Sequence, residues 1–244
     1  MSWDGRYVAL YELIKPYHDL ISPLRSMPPE ILQEIFMACL PTEHYAIMDT
    51  SQAPLLFGRV CSSWRSISLS TPTLWSSIHI VPSAIGPFES NDKFASLQAW
   101  LQRSGNCPLS ISIKLGDSLK DVVHTLLPYS RRWAALKVFD YVPYMASEIW
   151  SLTPEEVPLL EVFEITEDGW YGAEPMAMTF LSVPRNLRSI SLASVQPLPS
   201  CSWTQITALC LRSLQCRFFG LTLEGTIGLL SKCVNLQSCE LSFP

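Results

Sequence analysis

A short apolar pattern recurs seven times from residue 75 onward in this 244-residue chain. In each copy, an apolar residue is followed by two variable residues, a second apolar residue, one variable residue and a third apolar residue. The copies begin at Trp75, Pro108, Trp133, Leu160, Leu187, Ile206 and Leu236. Alternating apolar residues are typical of a strand that buries one face. The pattern therefore predicts seven strands, each burying the same side.

The spacing of the copies leaves room for a helix after most of these strands. Successive copies begin 33, 25, 27, 27, 19 and 30 residues apart. Candidate helices lie between them, at residues 91–104, 117–132, 145–152, 176–183 and 222–233. Strands that alternate with helices are connected by crossovers, and such strands run parallel.

This alternation loosely resembles a leucine-rich repeat, in which each unit gives one parallel strand and a returning segment. The resemblance implies that residues 73–244 form an irregular α/β solenoid with a parallel sheet. The Asn or Cys that normally follows the repeat's strand is missing from most units. An ordinary α/β or α+β domain remains the alternative, because a three-position pattern also arises by chance in a chain that is 48% hydrophobic.

The segment "SMPPEILQEIFMACLP", residues 26–41, has the pattern of an amphipathic helix bounded by prolines. Pro28 and Pro29 suit a first helical turn, where a missing N–H costs nothing, and Glu30 complements the helix dipole. The apolar residues that follow are spaced by three and four positions, and they are Ile31, Leu32, Ile35, Phe36 and Leu40. Pro41 is expected to end the helix.

Two further helical runs are predicted after a polar loop at residues 42–53. Leu55, Leu56, Phe57, Val60 and Cys61 form one apolar run, and "SSWRSISL" forms the other. Three short helices cannot bury this much apolar surface among themselves. They either pack on the rest of the chain or keep one face for a partner, and periodicity alone does not separate these interpretations.

Residues 22–80 resemble an F-box of the form common in large fungal families. The matching positions are Pro28, Glu30, Ile31, Leu32, Ile35, Phe36, Leu40, Pro41, Val60, Cys61, Trp64 and Arg65. The chain departs from the family pattern at Met27, where Leu is usual, and at Pro29, a variable position. Its loop at 42–53 is longer than in many animal members, and "STPTLWSSI" after the box fits the fungal form.

The resemblance implies a substrate-recruiting subunit of a cullin–RING (SCF-type) ubiquitin ligase. F-box helices bind a Skp-type adaptor, and the rest of the chain selects a protein substrate. The expected adaptor contacts are Pro28, Glu30, Ile31, Leu32, Ile35, Phe36, Leu40, Pro41 and Leu55. The expected organisation is a helical lead-in at 1–21, the box at 22–72 and the recruiting region at 73–244. The alternative is a repeat scaffold outside such ligases, with the box-like helices as an N-terminal cap.

The substrate surface is expected on the concave face of the sheet, because residues between the apolar positions point away from the core. These residues are His79, Ser112, Lys114, Lys137, Phe139, Glu164, Thr166, Ser191, Cys210, Arg212 and Glu240. We expect substrate near Lys137, Phe139 and Glu164, beside a loop carrying Trp170 and Tyr171. These two aromatic residues either anchor a partner or fold back onto the repeat.

Composition and motifs argue against several other functions. A net charge of −5 lacks the basic stripe of a nucleic-acid binder, and no apolar window is long enough for a membrane span. The first residues do not read as a secretory signal, which favours the cytoplasm or nucleus. Eight scattered cysteines without a CxxC read as reduced core thiols.

Neither catalysis nor a cofactor is expected. The chain has no P-loop, GxGxxG, GxSxG or HExxH, and its four histidines lie far apart, without metal-ligand spacing. We therefore expect no enzymatic activity, no metal and no cofactor. The final strand is followed by no polar cap, so either the sequence is a piece of a longer relative or this edge meets a partner.

Overall fold

The computed structural model describes residues 8, 10–14, 27–81, 91–114, 119–139, 147–166, 181, 186–193, 201–212 and 223–241. Residues 8 and 10–14 are helical, as expected for the lead-in, and they are exposed. Three short helices follow: α1 at Pro29–Ala38, α2 at Phe57–Val60 and α3 at Ser62–Leu69.

Helix α1 begins where its prolines predict. Pro28 is the N-cap residue and makes no side-chain cap hydrogen bond, Pro29 occupies the first turn, and Glu30 supplies a carboxylate there. The backbone N–H of Cys39 closes the helix by bonding to the carbonyls of Ile35 and Phe36. The predicted end at Pro41 thus lies just past the observed C-terminus of α1.

An aromatic cluster packs the three helices together. The rings of Phe36 and Phe57 stack with centroids 4.2 Å apart, and Trp64 lies 4.9 Å from Phe36 and 6.3 Å from Phe57. The Sγ atom of Cys61 accepts the backbone N–H of Trp64 and caps α3. Arg65 Nε donates to the Gly58 carbonyl at 2.6 Å, which ties α3 to α2. Trp64 therefore packs against the first helix, and its side chain is only partly buried.

Strands and short helices alternate through the rest of the described chain. A 3₁₀ turn at Pro72–Trp75 leads into it, and further 3₁₀ turns lie at Leu127–Arg132, Pro154–Glu156 and Trp203–Gln205. The strands are β1 (Ser77–Ile80), β2 (Leu109–Lys114), β3 (Trp133–Phe139), β4 (Val162–Thr166), β5 (Ser189–Ala193), β6 (Ala208–Arg212) and β7 (Ser238–Leu241). The helices are α4 (Asn91–Arg103), α5 (Leu119–Leu126), α6 (Ser147–Trp150) and α7 (Leu223–Leu230).

The seven described strands form one parallel sheet in the order β1 to β7. This architecture is α/β, as predicted, and a sheet whose strand order follows the chain is compatible with a solenoid. The register aligns the apolar pattern from strand to strand. Its second positions form one row, Ile78, Ile111, Leu136, Phe163, Ile190, Leu209 and Cys239. All members of this row are buried except Cys239 on the last strand.

Two predicted core positions are wrong, namely Cys239, which is exposed on the last strand, and Pro108. Pro108 is exposed, and Leu109 is the residue buried at the start of β2. Leu109 pairs with Trp133, but Ser110 pairs with Ala135, so β3 carries one extra residue at this point. A β-bulge of this kind lets the two strands bury their first apolar side chains at different offsets.

Backbone hydrogen bonds link successive units at the entry to each later strand. The carbonyl of Glu161 accepts the N–H groups of both Arg188 and Ser189, and the carbonyl of Arg188 accepts those of Thr207 and Ala208. The carbonyl of Thr207 accepts two N–H groups from the entry to β7 in the same way. Side-chain amides reinforce two of these steps, because Asn186 Nδ2 donates to the Pro158 carbonyl and Asn235 Nδ2 to the Thr204 carbonyl.

The predicted helices are confirmed where the structure describes them, with shorter bounds. The segment 91–104 corresponds to α4, whereas 117–132 divides into α5 and a 3₁₀ turn that begins before Pro128. Segments 145–152 and 222–233 narrow to α6 and α7. Of the segment 176–183 only Leu181 lies within the described residues, and it is buried.

Bulky tryptophans fill the core between the sheet and its helices. Trp75, Trp100, Trp133 and Trp150 are each no more than 2% exposed. The rings of Trp75 and Trp100 meet edge to face at 4.9 Å, and Trp75 Nε1 donates to the Ser68 carbonyl in α3. Through this contact the helical N-terminal part packs directly on the first unit of the sheet.

Candidate functional site

Helix α1 divides its apolar residues between two faces. Leu32 and Phe36, four residues apart, are 3% and 0% exposed and belong to the core. Ile31 and Ile35, also four residues apart, are 48% and 37% exposed. An ordinary surface helix has one apolar face, and the core of its own domain buries that face. Helix α1 has a second apolar pair, which faces solvent in the isolated chain.

Further exposed apolar side chains occur on the neighbouring segments. We call the set of exposed large apolar residues between α1 and α3 the helical apolar surface, and its members are Ile31, Ile35, Met37, Leu56, Val60 and Leu69. Single exposed apolar residues are ordinary on soluble domains, whereas these six lie within 39 residues of sequence, on or beside the three helices.

The residues predicted for adaptor contact fall into three groups. Pro28, Glu30, Ile31 and Ile35 are exposed. Leu40, Pro41 and Leu55 are partly buried. Leu32 and Phe36 are buried in the core, so the prediction that they contact the adaptor directly is wrong. These two residues support the helix from inside. Met37, Leu56 and Val60 are exposed apolar residues that the motif did not single out as contacts.

A second feature lies on the face of the sheet opposite the buried apolar rows, where the predicted residues meet in register. The row that separates the two apolar rows consists of His79, Ser112, Lys137, Glu164, Ser191, Cys210 and Glu240. Most of these residues are partly exposed, Glu240 is exposed, and Ser112 is only 3% exposed. The next row out pairs Lys114 with Phe139 and Phe139 with Thr166.

A cavity of about 550 Å³ lies over the first strands on this side. Its floor comes from β1 to β4, and its wall is the segment that follows α1. The lining residues are Pro41, Thr42, Glu43, His44, Tyr45, His79, Ser112, Lys114, Lys137, Phe139 and Thr166. We call this cavity the loop–sheet pocket. Its volume is in the range typical of small-molecule and side-chain pockets.

The wall of the loop–sheet pocket is anchored to β1 by the backbone. Ile47 forms a parallel bridge with His79, and the His79 N–H donates to the Ala46 carbonyl at 2.7 Å. Ala46 is buried against the core. The segment 42–53, predicted only as a polar loop, therefore extends the sheet locally and holds His44 and Tyr45 over the face that carries His79.

Lys137 and Glu164 make an ion pair on the floor of the pocket. The Nζ atom of Lys137 lies 3.1 Å from Oε2 of Glu164 and 5.5 Å from the centroid of the Tyr45 ring. The ammonium thus joins the two sides of the pocket, since its carboxylate partner is on the sheet and its aromatic partner is on the loop. Lys137 and Glu164, two of the residues expected near substrate, thus lie side by side on the sheet.

His79 is held at the centre of the aromatic and polar groups. Its Nδ1 lies 2.7 Å from Ser112 Oγ, its ring meets the edge of Phe139 at 5.8 Å, and the His44 ring is 6.3 Å away. Burial lowers the pKa of His79, and the neighbouring His44 and Lys114 lower that pKa further, because each disfavours a second positive charge. The lowered pKa of His79 thus reflects burial first and nearby positive charge second.

Several predicted residues cannot be placed with this site. Trp170 and Tyr171 lie outside the described residues, as does the side chain of Arg212. Conversely, His44 and Tyr45 line the pocket although sequence reasoning missed them. Their only signal in the sequence is a His–Tyr pair inside an otherwise polar loop, which does not reveal that the loop folds back onto the sheet.

The described residues include no cluster of three or more His, Cys, Asp or Glu side chains able to hold a metal ion. Within the same part of the chain, no helix is long and apolar enough to cross a membrane. Comparisons with protein-family models, curated proteins and solved structures found no match.

Proposed function

We propose that this chain is a substrate-recruiting F-box subunit of a cullin–RING (SCF-type) ubiquitin ligase. In this proposal the helices between residues 22 and 72 bind a Skp-type adaptor, and the sheet side of residues 73–244 receives a protein substrate. The chain itself performs no chemistry; it brings substrate to the ligase.

The second apolar stripe of α1 is the observation that carries the proposal. Ile31 and Ile35 remain exposed while Leu32 and Phe36, the residues next to each in sequence, are buried. At about 25 cal/mol per Å² of apolar area, covering two isoleucine side chains would favour association by about 2–4 kcal/mol before entropic costs. A helix of this kind supports a partner on its outer face and a core on its inner face.

The motif residues that do not face outward support the box as a unit. Phe36 and Trp64 meet in the aromatic cluster, Cys61 caps α3, and Arg65 bonds back to the carbonyl of Gly58. These contacts explain why the motif has Trp and Arg at fixed spacing. They hold the three helices together in the arrangement that leaves Ile31 and Ile35 exposed.

The alternative function is a protein-interaction scaffold outside such ligases, with the helices as an N-terminal cap. A specific observation favours it. Trp75 Nε1 bonds to the Ser68 carbonyl, and Ile47 bridges to His79, so the helical part covers the first edge of the sheet. Capping alone, however, accounts for the buried stripe of α1 and not for the exposed one.

Co-expression with a Skp-type adaptor separates the two functions. The ligase subunit is expected to co-elute with the adaptor as a one-to-one complex on size exclusion, because the box is the adaptor's docking site. A chain that elutes alone at its own size, while a known F-box protein co-elutes in parallel, contradicts the proposal and favours the scaffold.

A further inference from the structure

The acidic and basic side chains around the loop–sheet pocket balance one another. Lys114 and Lys137 are among its lining residues, and so is Glu43. A second acid, Glu164, lies 3.1 Å from the ammonium of Lys137 on the floor. With imidazoles counted as neutral at pH 7, these four side chains carry two positive and two negative charges. The charge around the pocket therefore favours neither an anion nor a cation.

The central polar side chains of the pocket are already paired within the chain. His79 Nδ1 lies 2.7 Å from Ser112 Oγ, and Lys137 is held by Glu164. Lys114 also has a partner of its own. An incoming ion would compete with these contacts and lose its own hydration. An uncharged group would cover the same contacts and leave their polar atoms paired, which avoids the cost of burying an unsatisfied group.

Burial keeps the imidazole at the centre of the pocket uncharged near pH 7. The pKa of His79 lies below its ordinary value of 6.5, first because the ring is desolvated and then because His44 and Lys114 are nearby. A neutral imidazole that is bonded to Ser112 presents a flat surface with little net charge. The middle of the pocket is thus suited to an uncharged ligand.

Aromatic rings line the pocket on two sides. On the sheet, the ring of Phe139 meets that of His79 edge to face at 5.8 Å. On the loop, His44 and Tyr45 belong to the opposite wall. Phe139 and Tyr45 are only partly buried, so each keeps accessible ring surface. Contacts between rings favour an aromatic side chain over an aliphatic one of similar area by about two- to tenfold.

We propose that the loop–sheet pocket binds an uncharged aromatic side chain presented by a peptide segment. The bound ring lies between Tyr45 on the loop and Phe139 on the sheet. The pocket volume of about 550 Å³ accommodates such a ring together with the backbone beside it. Only the identification of this peptide with a ligase substrate rests on the proposed function, because the binding itself does not involve the adaptor.

Isothermal titration of the full chain with capped pentapeptides tests this proposal. The probes are Gly-Ser-Phe-Ser-Gly and three peptides in which Leu, Glu or Lys replaces the central Phe. The Phe probe is expected to saturate the chain below about 5 mM, at least about twofold more tightly than the Leu probe. It should bind about tenfold more tightly than the Glu and Lys probes, because a charged side chain loses hydration without gaining an unpaired partner.

Two variants and a matched control locate the binding. Phe139→Leu and Tyr45→Leu keep apolar bulk and remove one ring each, so each is expected to weaken the Phe probe about threefold or more. Tyr129→Leu makes the same change at a partly buried tyrosine outside the lining, and it should leave the affinity unchanged. Far-ultraviolet circular dichroism should be the same for the unmodified chain and all three variants.

Several results would overturn the proposal. They are no saturable binding of the Phe probe up to about 5 mM, equal or tighter binding of the Leu, Glu or Lys probe, and an equal effect of Tyr129→Leu and the two pocket variants. The probe series on the unmodified chain decides the matter even where a variant fails to fold. Since no adaptor is present, any of these results leaves the proposed ligase function standing.

Discussion

Lys137 and Glu164 occupy paired positions on β3 and β4, and the Nζ atom of Lys137 lies 3.1 Å from Oε2 of Glu164. Their side chains are 32% and 19% exposed, so the pair is neither fully solvated nor fully buried. Screening by the remaining solvent limits what this contact contributes to the free energy of unfolding.

A double-mutant cycle of Lys137→Met and Glu164→Gln measures the coupling between the two side chains. We expect a coupling of about 0.5–1 kcal/mol in the free energy of unfolding, measured by urea denaturation, because the charges are close but partly solvated. Strictly additive single effects would contradict the ion pair. The cycle also controls for the lost packing of the lysine stem.

Truncation of Trp64 tests the aromatic cluster. Trp64→Ala is expected to lower the free energy of unfolding by about 2–3 kcal/mol, less than the about 3–5 kcal/mol typical of a fully buried aromatic residue, since Trp64 is partly exposed. Phe36→Ala, at 0% exposed, should cost more in the same denaturation experiment. A loss below about 0.5 kcal/mol for Trp64→Ala would place that ring outside the packing of the helices.

The lowered pKa of His79 predicts how stability depends on pH. The unfolded chain takes up the His79 proton near the ordinary value of 6.5, and the folded chain takes it up only at lower pH. The unfolded state therefore binds more protons in this window, so stability is full above pH 6.5 and falls as pH drops toward the folded pKa. Other groups titrate nearby, so the measurement is the difference between the protein and His79→Asn.

For this comparison, urea midpoints are recorded at a series of pH values between about 8 and 5. The protein is expected to lose more stability than His79→Asn as pH falls, because the variant has no imidazole to protonate. Parallel curves for the two proteins would mean that burial and the charges of His44 and Lys114 do not act on His79.

Cysteine alkylation tests burial at the C-terminal end of the sheet. Burial, with Cys233 nearby, raises the pKa of the Cys201 thiol to about 12, whereas Cys39, Cys61 and Cys239 are exposed. Iodoacetamide at about pH 8 should therefore modify those three at least about tenfold faster than Cys201, because the thiolate is the nucleophile. Peptide mass spectrometry reads the rates, and unfolding in urea should equalise them. Rapid native labelling of Cys201 would contradict its position.

The sheet could be predicted from sequence because the alternation of apolar residues is itself the geometry of a strand. Residues two positions apart in a strand lie on the same face, as Ile78 and Ile80 do in β1 and Phe163 and Ile165 in β4. Burying that face in every strand sets the register between neighbouring strands. The prediction that Pro108 is buried was wrong because a bulge shifts the buried position to Leu109. Such an insertion cannot be seen in the local apolar pattern.

The candidate site was only partly predictable, for two physical reasons. Ile31 and Leu32 are adjacent and both apolar, so helical spacing cannot say which of them enters the core. The position of α1 is set by the contacts of Phe36 with Phe57 and Trp64, and Leu32 is the one buried. The loop–sheet pocket depends on a long-range contact, the bridge from Ile47 to His79, which no pattern within residues 42–53 encodes. Charged substitution of Leu32 would therefore test folding, whereas Ile31 and Ile35 test partner contact.

The affinity of a Skp-type adaptor for the double variant Ile31→Asp/Ile35→Asp tests the central claim most directly. Isothermal titration should show binding by the unmodified chain and a loss of about 100-fold or more in the double variant, since two apolar anchors become charged at the interface. Ile227→Asp on α7, where the side chain is 59% exposed, is the matched control and should bind as the unmodified chain does. Far-ultraviolet circular dichroism should be the same for all three. Unchanged adaptor affinity in the double variant, or no adaptor binding by the unmodified chain, would contradict the account.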